Sequence, residues 1–193
     1  MLTDVCNYKK ELDSCWDELV PAQLTRVISQ LMKRGTTIFI LGNGGSAATA
    51  SHMAVDLAKG TQVKGFPSLK AISLTDNVGM LTAWANDVAY QSIFKEQLAV
   101  LMKPRDTVIG ISASGNSPNI SAAIAYAKMN GGFTIGFSGF GGGALKRLVD
   151  LDITVSSRNY GAVEDFHLSL NHMITQFIKR FREGGEKWDN PSW

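Results

Sequence analysis

A doubly wound α/β domain, with a five-stranded parallel sheet covered by helices on both faces, is the architecture this sequence predicts. Three observations predict it. Five short apolar runs, at 37–41, 69–74, 107–111, 133–137 and 151–155, alternate with helical patterns. Two of those runs end in Gly- and Ser-bearing turns that open directly into helices, at 42–45 and 112–117. The chain has 193 residues, 45% hydrophobic and 19% charged, enough for one domain to bury a core without disulfide or metal staples.

Residues 2–34 read as helical. Val20, Leu24, Val27, Ile28, Leu31 and Met32 recur at three- and four-residue steps, Pro21 suits the first turn of a second helix, and Gly35 stops it. This leader has no strand of its own, so it is expected to pack against another subunit, leaving 35–182 as the domain proper. Within that domain helices are expected at 46–59, at 77–101 with a break near Asn86-Asp87, at 117–130, at 143–149 and at 161–182. Lys179, Arg180 and Arg182 read as the solvated end of the last helix, where cations suit the dipole. The tail, 183–193, is punctuated by Gly and Pro and reads as a surface segment in which Trp188 and Trp193 are candidate anchors.

Composition narrows the function. A formal charge of +2, spread along the chain, gives no basis for a nucleic-acid or membrane partner. No apolar run approaches the ~20 residues of a membrane span. The N-terminus is polar where a signal peptide is apolar. Cys6 and Cys15 lack metal-type spacing and read as free thiols. The chain is expected to be cytoplasmic.

The turn after the first apolar run, Gly42-Asn43-Gly44-Gly45-Ser46, leaves free backbone N–H groups at a helix start, a ready anion site. It also fits a dinucleotide fingerprint, but the acidic residue that reading needs is offered only by Asp76, later than expected. The second turn carries Ser112, Ser114 and Ser117 around Gly115, with Pro118 placed to start a helix. One helix cap needs one such residue, so three serines point to phosphate binding. Two polar turns at two strand ends suit a sugar phosphate. His52 and Asp56, four apart, share a helix face, and on the last helix Glu164 lies about 80° from His172 and about 60° from His167. Two His–carboxylate pairs support either acid–base work across an enediol or a borderline divalent metal such as zinc.

The stretches LGNGGSAATASH, SLTDN, AND and ISASGNSPN, with Glu164, His167 and His172 closing the pattern, resemble the sugar isomerase (SIS) domain, within it the phosphoheptose isomerase branch. The resemblance runs from the N-terminal helices to about residue 182. It implies a homotetramer with sites at subunit interfaces and conversion of sedoheptulose 7-phosphate to D-glycero-D-manno-heptose 7-phosphate. It implies substrate contacts at Asn43, Gly44, Ser46, Asp76, Asn86, Asp87, Ser112, Ser114, Ser117 and Glu164. His172 matches the catalytic histidine and Asp56 the catalytic carboxylate, and zinc is implied on His52, Asp56, Glu164 and His172. Six positions depart from the family: Asp56 stands for a glutamate, Glu164 for a glutamine, Ala113 for a threonine, Gly60 for an arginine, and Gly161-Ala162 for an Asp-Arg pair. The rival from another class is a non-catalytic SIS module that binds a protein partner, like relatives associated with the bacterial replication initiator. Retention of His172 and Asp56 counts against it.

Overall fold

A computed structural model describes residues 2–33 and 35–184. Its strands are β1 (Thr37–Gly42), β2 (Lys70–Ser73), β3 (Thr107–Ser112), β4 (Phe133–Ser138) and β5 (Leu151–Thr154). All four pairings are parallel and the order is β2-β1-β3-β4-β5. Its helices are α1 (Leu2–Asp17), α2 (Pro21–Leu31), α3 (Gly45–Val55), α4 (Val78–Asp87), α5 (Lys95–Leu101), α6 (Pro118–Met129), α7 (Gly143–Leu148) and α8 (Tyr160–Arg182). The expected break in the 77–101 stretch falls after Asp87, where a short 3-10 turn, Tyr90–Ser92, separates α4 from α5.

Because successive strand residues point to opposite faces, the sheet carries two cores. Ile38 and Ile40 of β1 join a core closed by α2, α3 and α8, while Phe39 and Leu41 join one closed by α5, α6 and α7. Phe166, Leu170, Ile174 and Ile178 form a four-residue stripe on α8 and are fully buried. Each such side chain contributes roughly 1.5–3 kcal/mol relative to exposure.

The leader packs closer to home than its sequence suggests. Leu24, Val27, Ile28 and Leu31 of α2 are buried in the chain's own core, and Trp16 meets Phe166 of α8 edge-on with ring centroids 4.8 Å apart. Glu11 accepts hydrogen bonds from Ser157 Oγ (2.8 Å) and Asn159 Nδ2 (3.1 Å), pinning α1 to the start of α8. The apolar stripe of α2 therefore finds its partner in β5 and α8, far along the chain. The solvated-end reading of residues 179–182 is corrected at one position. Lys179 and Arg180 are exposed, but Arg182 is buried and donates from Nη1 to the Thr61 carbonyl at 2.8 Å. Trp188 and Trp193 lie outside the described residues.

This strand order fixes where a ligand can sit. The connection from β1 leads outward to β2 and the one from β3 leads the other way to β4, so the chain diverges between two neighbouring strands. The crevice beyond their carboxyl ends is the usual ligand position in doubly wound sheets. Both predicted turns, 42–45 and 112–117, open there.

Candidate active site

The turn after β1 closes tightly. A Cβ at Gly42 would stand 2.5 Å from the Ser46 carbonyl carbon, and Gly44, with φ +54°, takes a left-handed position that side chains rarely adopt. Ser46 is buried in the first turn of α3. Across the divergence point, Asn43 and Asn119 exchange two side-chain hydrogen bonds, both 2.9 Å, and the Tyr90 hydroxyl donates to Asn43 Oδ1 at 3.1 Å. In the turn after β3, the Ser112 and Ser117 hydroxyls lie 3.1 Å apart, and Ser114 Oγ accepts from the Asn116 N–H at 3.2 Å. Asn43, Ser46, Ser112, Ser114, Ser117, Tyr160 and Glu164 line one cavity of about 190 Å³. Hydroxyls, amides and the α3 start thus converge where an oxyanion can be held.

A second cluster lies further along the same two helices. His52 and Asp56 of α3 and the turn that follows it meet His172 of α8. Their ligand-type atoms all lie within 4.8 Å of one another. The Nε2 atoms of His52 and His172 are 3.2 Å apart, and Asp56 Oδ2 is 3.4 Å from the first and 3.8 Å from the second. Asp56 begins a π-helical turn, Asp56–Gly60, a distortion often found at functional sites.

The carboxylate itself is held by Asn171, which donates from Nδ2 to Asp56 Oδ2 at 2.8 Å and is completely buried. A carboxylate only accepts, so the amide must turn its NH2 toward Asp56. Among the described residues Asn171 Oδ1 is left buried with no partner. Polar side chains inside a helix carry no pattern that marks them, and the sequence alone gave Asn171 no role.

Residues 17–139 match the SIS-domain family pattern, which is more than half of the chain. The chain belongs to the SIS-domain family. The phosphoheptose isomerase of Geobacter metallireducens is 32% identical over 184 residues, 93% of this chain and 96% of that one. The phosphoheptose isomerase of Nitratidesulfovibrio vulgaris is 36% identical over 159 residues, 82% of this chain and 76% of its own. Among solved structures, a phosphoheptose isomerase from Francisella tularensis superposes with a TM-score of 0.85 at 26% identity, covering 93% of this chain and 98% of that one. These relatives place the SIS domain in the phosphoheptose isomerase branch, among sugar-phosphate isomerases.

Within this SIS domain the expected site residues divide into groups. His52, Asp56 and His172 come together; Glu164 does not join them. Its carboxylate instead lies in the serine-lined cavity against the α3 start, where a Cβ at Gly45 would be 2.7 Å from the Glu164 carboxyl carbon. The helical wheel placed Glu164 and His172 on one face, but eight residues of helix separate them by about 12 Å along the axis. Asp76 is tied to α3 by a hydrogen bond from Ser51 Oγ and does not line the cavity. Asn86 and Asp87 are exposed at the end of α4, where Asn86 Nδ2 donates to Asp87 Oδ1 at 2.7 Å. His167 belongs to the core: it is 1% exposed, near Phe137 and Phe166, and its ring nitrogens have no hydrogen-bond partner among the described residues. Asn119, Tyr90 and Tyr160 were not singled out from the sequence. Polar side chains in the first turn of a helix that follows a serine-rich loop were the available signal for Asn119.

Proposed function

We propose that the protein is an aldose–ketose isomerase that converts sedoheptulose 7-phosphate to D-glycero-D-manno-heptose 7-phosphate through a cis-enediol. The observation that carries this reading is the convergence of Asp56 and His172, 3.8 Å apart, on the same helix pair whose amino ends border the serine-lined cavity. From Glu164 to His172 is about 12 Å along α8. A seven-carbon chain, at roughly 1.3 Å of advance per bond, extends about 10 Å from its first carbon to its phosphorus, so the two sites match its two ends.

In this reading Ser112, Ser114 and Ser117 hold the phosphate, and the N–H groups at the α3 start face the hydroxyl chain. Asn43, Ser46 and Glu164 bind the hydroxyl chain. A proton leaves C1 as the C2 carbonyl oxygen gains one; returning a proton to C2 while the C1 hydroxyl loses its own completes the exchange. His172 and Asp56 share these transfers as acid and base. Asn171 keeps the carboxylate turned toward the two rings, which matters because Asp is one methylene shorter than the glutamate of the family pattern.

The donor set of His52 Nε2, His172 Nε2 and Asp56 Oδ2 suits zinc, which takes imidazole and carboxylate together and leaves a fourth position for substrate. Zinc held there would occupy His172 Nε2 and would supply Lewis acidity at the substrate carbonyl in place of that ring's proton, leaving Asp56 Oδ1 to move the proton between the carbons. With His52 and His172 each nearly half exposed, the cluster lies open at the surface of the chain, and we infer a homotetramer in which neighbouring subunits cover it.

The test is turnover of sedoheptulose 7-phosphate by the purified protein with and without added Zn²⁺, beside the His172→Ala variant. Activity that rises with zinc and disappears in the variant is expected. Absence of turnover on this and other ketose phosphates at metal saturation refutes the reading. Light scattering that finds a monomer refutes the tetramer.

A further inference from the structure

At the opposite end of the sheet, below the amino ends of β1 and β2, lies a cavity of about 280 Å³ lined by three cations, Lys33, Lys70 and Arg182, and by the ring of Phe66. Among the described residues no carboxylate lines it. Lys33 and Thr36 form the wall it shares with a second cavity of about 280 Å³ that adds Arg105 and, among the described residues, no acid. The basic groove therefore runs along the amino edge of the sheet, away from the site described above.

Its built component is Arg182, 6% exposed. Nη1 donates to the Thr61 carbonyl at 2.8 Å and to Thr61 Oγ1 at 3.2 Å, and the guanidinium stands 5.8 Å from the centre of the Phe66 ring. Nε is buried with no partner, and among the described residues Nη2 makes no hydrogen bond. Nη2 is therefore the guanidinium nitrogen left to grip an oxyanion, Nε being shut off from the cavity. A buried cation without an anion is costly, and natural structures pair such groups. Here the guanidinium is held in place by Thr61 and Phe66, and two exposed lysines line the same cavity.

We propose that this cavity is a second anion site that binds a small molecule carrying a phosphate group, with Arg182 as the anchor through Nη2 and Lys33 and Lys70 completing charge neutralisation. The volume exceeds that of a bare phosphate, leaving room for an organic body against Phe66. Occupancy would reach the other end of the sheet through Thr61, which caps the π-helical turn that Asp56 begins, and through α8, which also carries His172.

The experiment isolates the site in a Ser112→Ala/Ser117→Ala protein, whose serine-lined cavity is disabled, and titrates it calorimetrically with inorganic phosphate and with glycerol phosphate at constant ionic strength. One site that prefers the monoester is expected, weakened at least tenfold by Arg182→Gln and about fivefold by the exposed-site variant Lys70→Gln, which leaves the core untouched. Preference for inorganic phosphate would refute the organic-ligand assignment. Absence of binding, or binding unaffected by Lys70→Gln, would overturn the proposal. The readout is binding alone, so it stands or falls separately from the isomerase reading.

Discussion

Replacing His167 with Leu should flatten the acid side of the protein's stability profile. Burial among Phe137, Phe166 and the sheet pushes the imidazole down to about 4 from 6.5, against a smaller opposing pull from the Ser138 backbone. The unfolded chain takes up the proton first, so stability from this group is fully present above about pH 6.5 and is lost as pH falls through that value toward 4. The total is about 2.5 pH units at about 1.4 kcal/mol each, or roughly 3 kcal/mol. At pH 5 the loss is already about 2 kcal/mol, whereas at pH 7 it is about 0.2 kcal/mol. Urea unfolding at pH 7 and pH 5, at one fixed protein concentration because association shifts the midpoint, measures the difference. His167→Leu should remove about 2 kcal/mol of the pH 7-to-5 decline while leaving catalysis at pH 7 in place. An unchanged decline would show that His167 is protonated in the fold or is reached by water, and the core assignment would fail.

Three further outcomes follow from contacts on α8, α3 and β4. Asn171→Leu should lower kcat by about 10–100-fold with KM little changed, the usual cost of losing a group that orients an active-site carboxylate; once Asp56→Asn has removed the carboxylate, the same change should cost little more, and an additive cycle would refute the positioning role. Gly45→Ala should reduce kcat/KM by on the order of a hundredfold with a small change in Tm, since its Cβ must displace the Glu164 carboxylate from the cavity; unchanged kinetics would mean that Glu164 does not touch substrate. Burial alone would raise the pKa of Asp150, but the Lys128 ammonium at 2.9 Å and the Thr134 N–H and hydroxyl hold it below the usual carboxylate range. Asp150→Asn should therefore cost about 1–2 kcal/mol at pH 7, and the penalty should shrink as pH falls through that depressed value, as denaturant curves at pH 7 and pH 3 would show.

What the sequence discloses here is what is local. A strand, a glycine turn and a helix start are contiguous, so the two polar turns at the strand ends and the His52/Asp56 pair were readable directly. Angular position on a helix was readable too, but a helical wheel carries no axial distance: Glu164, expected both at the substrate and at the metal, lines the serine cavity, while His172 joins His52 and Asp56. Asn171 and Arg182 depend on partners 115 and 121 residues away. Their roles are set by how α8 lies across α3 and the 61–69 loop, and no periodicity records that crossing. The leader's contact with its own core was unreadable for the same reason: that surface does not exist until β5 and α8 are in position.

The π-helical turn at Asp56 has a consequence for how this chain can vary. It holds one residue more than an α-helical turn would, so losing any single position from 57 to 60 would let the helix relax into regular winding. The wide turn absorbs that extra residue, so everything after the deletion would keep the direction it has now. Thr61 would still face the Arg182 guanidinium, and that end of α8 would stay fastened to the 61–69 loop. A single deletion should accordingly be survivable at 57–60, whereas within the regular turns of α3 it would rotate every later residue by about 100°.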